Sequence, residues 1–277
     1  MKNLFLITLV LTAMVLRSQD LSIMTYNIKL DYPKEGVNSW ENRKPLFIGQ
    51  LKFYEPDIIG VQEALPNQMK DMESLLENYK YVGVGRDDGK DGGEYSAIFY
   101  NTQKFNINKS ATFWLSETPS IPSKGWDAAL NRICTYALFE NVMTKQKFYV
   151  FNTHFDHVGS EARAQSAKLI IEKIEEINNK KLPVFLMGDF NLEPETEPIK
   201  FIKTKLNDSK DVSKSTPFGP EGTFNNFDFD KPVNRRIDYI FVSKDIDVLK
   251  HATLSDNANL KYPSDHLPVF VVCSFNK

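Results

Sequence analysis

Leu182-Pro183-Val184-Phe185-Leu186-Met187-Gly188-Asp189-Phe190-Asn191 is an apolar, β-rich run that ends in a glycine, a carboxylate and a carboxamide. Side chains alternate along an extended chain, so Asp189 and Asn191 are expected on one side. An acceptor-only group and a donor amide then share one small space. That pairing suits aiming a water and holding a negatively charged oxygen.

The same kind of ending recurs along the chain. Tyr26-Asn27-Ile28, Gln62-Glu63-Ala64, Asn152-Thr153-His154, Arg236-Ile237-Asp238-Tyr239 and Ser264-Asp265-His266 each put polar groups beside an apolar run. Three of the four histidines lie in or beside this set, and His251 is the outlier. Acids and amides at strand ends collect on one rim of a sheet. Such a rim can bind a hard divalent cation through oxygen and present an acid/base pair. Each residue also has a plainer reading. Asn27 suits a turn, Glu63 a helix N-terminus, Asp189 with Asn191 an Asx turn, His154 a core position, and Asp238 beside Arg236 an ion pair. Arg132 and Arg236 carry the guanidinium fork that fits phosphate, against the alternative of a salt bridge.

Working outward, Ser22 to Ile28 and Asp57 to Gln62 read as strands. Trp40 to Tyr54 and Leu65 to Leu76 have helical apolar spacing. Tyr81 to Gly85, Tyr95 to Tyr100 and Ala111 to Leu115 are further strand signals. Arg132 to Glu140 and Lys147 to Asn152 form a hairpin pattern, and Ser160 opens a helix through Ile177. A mixed loop then runs to Phe229, followed by strands at Arg236 to Val242, Asp247 to Thr253 and Leu267 to Phe275. Strands that alternate with a few helices and include hairpins argue for an α/β (α+β) fold, with helices packed outside a central β structure.

The 277 residues are 42% apolar and 25% charged, an ordinary globular balance with a mean hydropathy of −0.37. Lys2, the apolar run Leu4 to Leu16 and small Ser18 read as a secretory signal peptide over residues 1–18. Residues 19–277 then form one domain, secreted or periplasmic, with no stable membrane insertion once the leader is removed. That removal takes two cations and no acid, shifting the formal charge from −2 to −4. No overall basic field for nucleic acid remains, although a local groove is still allowed. Cys134 and Cys273 sit in β-like runs; buried free thiols are the first reading, and a disulfide between them stays open because spacing cannot establish pairing. His154-Phe155-Asp156-His157 has no zinc-like helical spacing and no cysteine ligand nearby.

Gly188-Asp189-Phe190-Asn191 and Ser264-Asp265-His266, in order with the early Asn27 and Glu63, resemble the endonuclease/exonuclease/phosphatase superfamily, deoxyribonuclease I among its members. The resemblance runs from Met24 to Val271. It implies a four-layer sandwich of two packed mixed β-sheets flanked by helices. It also implies a phosphoric ester hydrolase using Mg2+, with Mn2+ able to substitute. By resemblance, Glu63 is the principal metal ligand, and Asn27 and Asp265 lie beside the metal. Asp189 aligns or deprotonates the attacking water, and Asn191 holds a phosphate oxygen. His266 contacts phosphate with Asp238 orienting it. His154 is the second histidine, with Glu94 as its acidic partner. The expected substrate is a phosphate ester, with a nucleic-acid or nucleotide phosphodiester placed ahead of lipid or sugar phosphates. No protein partner is implied. A non-catalytic binding protein on the same scaffold is the reading from a different class.

Overall fold

The structure is a computed structural model that describes residues 20–276. The leader read at residues 1–18 lies outside them. The elements are β1 (Leu21–Asn27), α1 (Trp40–Tyr54), β2 (Ile58–Ala64), α2 (Pro66–Leu75), β3 (Tyr79–Val82), β4 (Tyr95–Asn101), β5 (Phe105–Trp114) and β6 (Ile133–Asn141). They continue with β7 (Lys147–His154), α3 (Ser160–Ile177), β8 (Val184–Asp189), α4 (Glu197–Lys203), β9 (Asn207–Asp208), β10 (Asp238–Val242), β11 (Ile246–Thr253) and β12 (Val269–Phe275).

Two six-stranded sheets result, ordered β11-β12-β1-β2-β4-β3 and β5-β6-β7-β8-β10-β9. Each is mixed, with one parallel pair at its centre, β1 with β2 and β7 with β8. Each parallel pair is joined through a helix, α1 in one sheet and α3 in the other, because a parallel crossover needs that length of chain. The fold therefore contains two βαβ units, one per sheet.

Strand alternation explains the layering. Ile23, Ile58, Val150, Phe185, Met187 and Ile240 meet in a core between the sheets. The intervening residues face outward. Met24, Tyr26, Ile59 and Val61 pack on Trp40, Phe47 and Leu51 of α1 and on Met69 and Met72 of α2. Phe151, Leu186, Tyr239 and Phe241 pack on Ile170, Ile171 and Ile174 of α3 and on Ile199 and Ile202 of α4. Helices, sheet, sheet and helices make the four layers expected from the sequence. Strands buried on both faces also explain why Val184 to Met187 reads as a continuous apolar run.

Boundary differences have local causes. β5 starts at Phe105, earlier than Ala111, because the solvated face of this edge strand is polar. The seven-residue α4 was hidden in the mixed loop. Cys134 and Cys273 are buried and free, as read. Among the described residues no helix is long and apolar enough to cross a membrane.

Candidate active site

Along the inner face of each central strand, apolar residues give way to polar ones toward one end. β1 runs Ile23, Thr25, Asn27; β7 runs Val150, Asn152, His154; β8 runs Phe185, Met187, Asp189. β10 enters from the opposite direction with Asp238 first, paired in register with Asp189, which in turn pairs with His154. Asn27, Glu63, His154 and Asp189 thus lie at or next to the C-terminal ends of the four parallel strands. The two βαβ units face one another there, the place where open α/β sheets bind ligands.

Glu63 does not follow the alternation. β2 slips register between Val61 and Ala64, and Glu63 takes φ +63°. This bulge turns its carboxylate away from the helical layer, a common device beside functional sites. The convergence of Asp189 and Asn191 likewise owes nothing to alternation. The strand stops at Asp189, Asn191 takes φ +50°, and its N–H donates to Asp189 Oδ1 at 2.9 Å. The Asx turn and the shared space, alternatives in the sequence, are one arrangement. Gly188 is needed at this turn because its φ is +147° and a Cβ would lie 2.0 Å from the Thr153 carbonyl oxygen.

Asn27 joins the two sheets. Its Nδ2 donates to Glu63 Oε1 at 3.0 Å and to Asp189 Oδ2 at 2.9 Å. The Leu30 N–H donates to Glu63 Oε2 at 3.2 Å. Asp189 Oδ2 lies 3.5 Å from His154 Nε2 and 3.8 Å from His266 Nε2. His266 Nδ1 donates to Asp238 Oδ2 at 2.9 Å. Asn191 Nδ2 donates to the Phe155 carbonyl and approaches His154 Nε2, each at 3.1 Å. Nε2 therefore accepts and the His154 ring proton sits on Nδ1, toward Glu94. Beneath this layer Gln62 Nε2 donates to Asn152 Oδ1 at 2.6 Å, a buried amide pair that bridges the sheets. Gly60 allows their close approach, since a Cβ there would lie 2.7 Å from Asn152 Oδ1.

The electrostatics divide the histidines. Burial opposes a charge on His266, but Asp238 and Asp189 outweigh it and raise the imidazole to about 10. Burial, with Arg132 and Arg86 adding to it, holds His154 well below its usual value. Burial and repulsion from Asp238 push the Asp189 carboxyl up to about 7, against His266 and the Asn27 hydrogen bond. Glu63 is lowered, because Lys29, the Asn27 amide and His266 together outweigh its burial. Burial raises Asp265, with His266 opposing and Glu63 reinforcing.

Two groupings could hold a cation. Asp189, Asp238 and His266 bring ligand atoms within 4.8 Å of one another. In that cluster the His266 ring lies between the two carboxylates, and the buried Asp238 Oδ1 has no partner among the described residues. Glu63 and Asp265, beside Asn27, leave carboxylate charge offset by His266 and by Lys29, which is 3.5 Å from Asp265 Oδ2. Two carboxylates fit a hard divalent ion such as Mg2+, and Asn27 Oδ1, which accepts from the Lys29 N–H at 3.1 Å, would join them only if the amide turned over.

The sequence profile of the Endonuclease/Exonuclease/phosphatase family matches residues 24–266. The chain belongs to that family. Its members are hydrolases of phosphoric esters. A family protein from Bacteroides thetaiotaomicron of known structure is 40% identical, with a TM-score of 0.91, covering 94% of this chain and 100% of that one. The mannosyl-6-phosphatase of the same organism is 41% identical, with a TM-score of 0.89, covering 92% of this chain and 100% of that one. The probable RNA exonuclease NGL3 of Saccharomyces cerevisiae is 30% identical over 206 residues, 65% of this chain and 39% of that one. This chain spans 39% to 60% of the length of the first curated relatives it matches.

Around this family site the two expected arginines part company. Arg132 borders it, with Nε 3.2 Å from Asp156 Oδ1, Nη2 3.0 Å from His157 Nδ1 and a buried Nη1 without a partner among the described residues. Arg236 is not brought to the site. Its Nη2 bonds Asp208 Oδ1 at 2.6 Å and its guanidinium lies 4.4 Å from the Tyr239 ring centroid. This buried ion pair corrects its expected role as a phosphate contact, and Asp238 pairs with His266 instead of with it. Glu94 faces His154 at 3.9 Å from Nδ1, but Arg86 is its nearer partner. Arg86 lies in a turn-rich loop without a strand-end signal, and only the fold brings it against Glu94 beside His154. Phe224 was also missed, and it stands edge-on to His266 with centroids 5.1 Å apart.

Proposed function

We propose that this protein is a divalent-metal-dependent phosphoric ester hydrolase, with Mg2+ as its ion and a small sugar-phosphate monoester as its substrate class. The reaction is supported by one observation above others. Asn27 spans the sheets and presents Glu63 and Asp189 to the same space, with His266 at its far wall. Asp189, buried and fixed by Asn27 and Asn191, is placed to take a proton from an attacking water. His266, kept cationic by Asp238, faces the charge that grows on phosphoryl oxygens. The Asn191 amide, which lies between His154 and the Phe155 carbonyl, can turn a donor toward the same oxygens. Glu63 and Asp265, with Asn27, would hold the ion, whose contribution is charge neutralisation at the phosphate.

The small monoester is supported by the full-length likeness to the mannosyl-6-phosphatase. It is also supported by the rim cations. Arg86, Arg132 and Lys29 are each engaged by carboxylates, so these three cations do not form a free basic track for a polynucleotide. The unpartnered Nη1 of Arg132 is our choice for a substrate contact. A nucleotide or nucleic-acid phosphodiesterase, placed first from sequence, stands as the second reading, favoured by the likeness to the probable RNA exonuclease. A panel of hexose 6-phosphates, nucleotides, RNA and DNA, each with Mg2+ and with a chelator, tests the order. Release of inorganic phosphate from a hexose phosphate with intact polynucleotides supports the first reading. Polynucleotide cleavage with inert sugar phosphates supports the second. We also propose export of the chain, on the pattern of residues 1–18, to be tested by fractionation and N-terminal sequencing.

A further inference from the structure

Arg43, on α1, is 4% exposed, and its guanidinium touches no carboxylate within ion-pair distance among the described residues. It is spent on backbone oxygens instead. Nε donates to the Asn38 carbonyl at 2.7 Å, and Nη2 to the Lys29 carbonyl at 3.0 Å. Nη1 donates to the carbonyls of Ile28 at 2.8 Å and Pro263 at 2.7 Å. Trp40 and Phe227 close over it, with ring centroids 5.5 and 5.6 Å from Cζ.

Three of those carbonyls, of Ile28, Lys29 and Pro263, belong to the two segments that carry the proposed cation ligands. Ile28 and Lys29 follow Asn27 directly, and the next residue, Leu30, supplies the N–H that holds Glu63 Oε2. Lys29 is in the left-handed region at φ +58°, a turn that a lysine enters only under constraint. Pro263 stands two residues before Asp265, and between them Ser264 Oγ donates to the Asn27 carbonyl at 2.7 Å. One planar fork thus fixes the β1 end against the loop that bears Asp265. A buried cation without an acid is costly, so its retention calls for a task.

We propose that Arg43 is a positioning residue that sets the spacing of the Glu63 and Asp265 oxygens for the divalent ion. The inference rests on the reading of those carboxylates as the cation site. Arg43 touches neither substrate nor ion; it acts through the Ile28–Leu30 and Pro263–Asp265 backbone.

Mn2+ titration by calorimetry, without substrate, tests it on the full chain. The set is wild type, Glu63→Gln, Arg43→Lys, Arg43→Gln and, as a control in the distant helical layer, Ile202→Val. Melting temperature in chelator is measured for each. Lysine keeps the charge but places its donors on one nitrogen and cannot span three segments. Arg43→Lys is expected to weaken Mn2+ about tenfold, the scale seen for groups that orient metal ligands, and Arg43→Gln further. Ile202→Val is expected to lower the melting temperature and leave Mn2+ affinity alone. An Arg43→Lys affinity within about twofold of wild type, with a lowered melting temperature, would overturn the proposal, because it would make the residue merely structural. Wild-type affinity in Glu63→Gln would overturn the cation site itself, a failure distinct from that of Arg43 alone.

Discussion

His266 Nδ1 donates to Asp238 Oδ2 at 2.9 Å, and both groups are buried at the junction of the two sheets. Asp238 opens β10 and His266 follows the loop from β11, so the pair ties one sheet to the other. The carboxylate keeps the ring charged at neutral pH, against the burial that opposes it. The folded value, about 10, lies above the ordinary 6.5, so the pair's stabilisation is complete below pH 6.5 and is lost as pH rises through about 10. In Asp238→Asn the imidazole titration, followed by proton NMR, is expected to fall by more than about one unit. Turnover is expected to drop on the order of a hundredfold or more, as the cationic donor is lost. An unmoved titration would assign the charge to another group.

The Gln62–Asn152 pair predicts a stability effect separate from chemistry. Asn152 Nδ2 also donates to the carbonyls of Val61 and Ala97, each at 2.9 Å. Asn152→Leu keeps the branched shape of the side chain, adds volume and strands these buried acceptors between the sheets. A loss of about 2–4 kcal/mol is expected in urea unfolding. A neutral result would mean that the sheets reseal around an apolar side chain.

His251 offers a pH test away from the site. It is buried with Nδ1 3.1 Å from Ser209 Oγ and with Nε2 unpartnered among the described residues. Burial, with Arg236 and Lys210 adding to it, depresses it to about 3. The unfolded chain binds the proton more readily, so stability is present above pH 6.5 and is lost as pH falls toward 3. Relative to His251→Gln, wild type should lose about 2–3 kcal/mol between pH 7 and pH 4.5, read from paired urea midpoints. Parallel pH curves for the two proteins would contradict the assignment.

Much of this architecture is legible in the sequence because it is local. The apolar runs end where the strands end, and Asn27, Glu63, His154, Asp189 and Asp238 mark those ends. Their meeting point is not local. It follows from two sheets stacking with their parallel pairs face to face, which no single segment announces. The bulge at Glu63 and the left-handed Asn191 are hidden for the opposite reason, since each is a one-residue change in backbone angle. Arg236 misleads because its partner, Asp208, lies 28 residues earlier in a two-residue strand without a pattern. Arg86 escapes notice because its nearest acid in space is Glu94, eight residues on, and not Asp87 beside it in the chain, which lies 3.9 Å from Nε. Arg43 looks like the polar face of a helix until its four carbonyl partners are seen.

The central claim is metal-dependent phosphoric ester hydrolysis with Asp189 acting on the attacking water. The most direct measurement is release of inorganic phosphate from a hexose 6-phosphate by wild type and Asp189→Asn, each with saturating Mg2+ and each with chelator. The substitution keeps the shape of the side chain and removes its proton-accepting charge. Mg2+-dependent turnover is expected in wild type, lost in chelator, with a fall of about a hundredfold or more in Asp189→Asn and Mn2+ affinity retained through Glu63. Wild-type turnover in Asp189→Asn, or turnover unchanged by chelator, would contradict the claim.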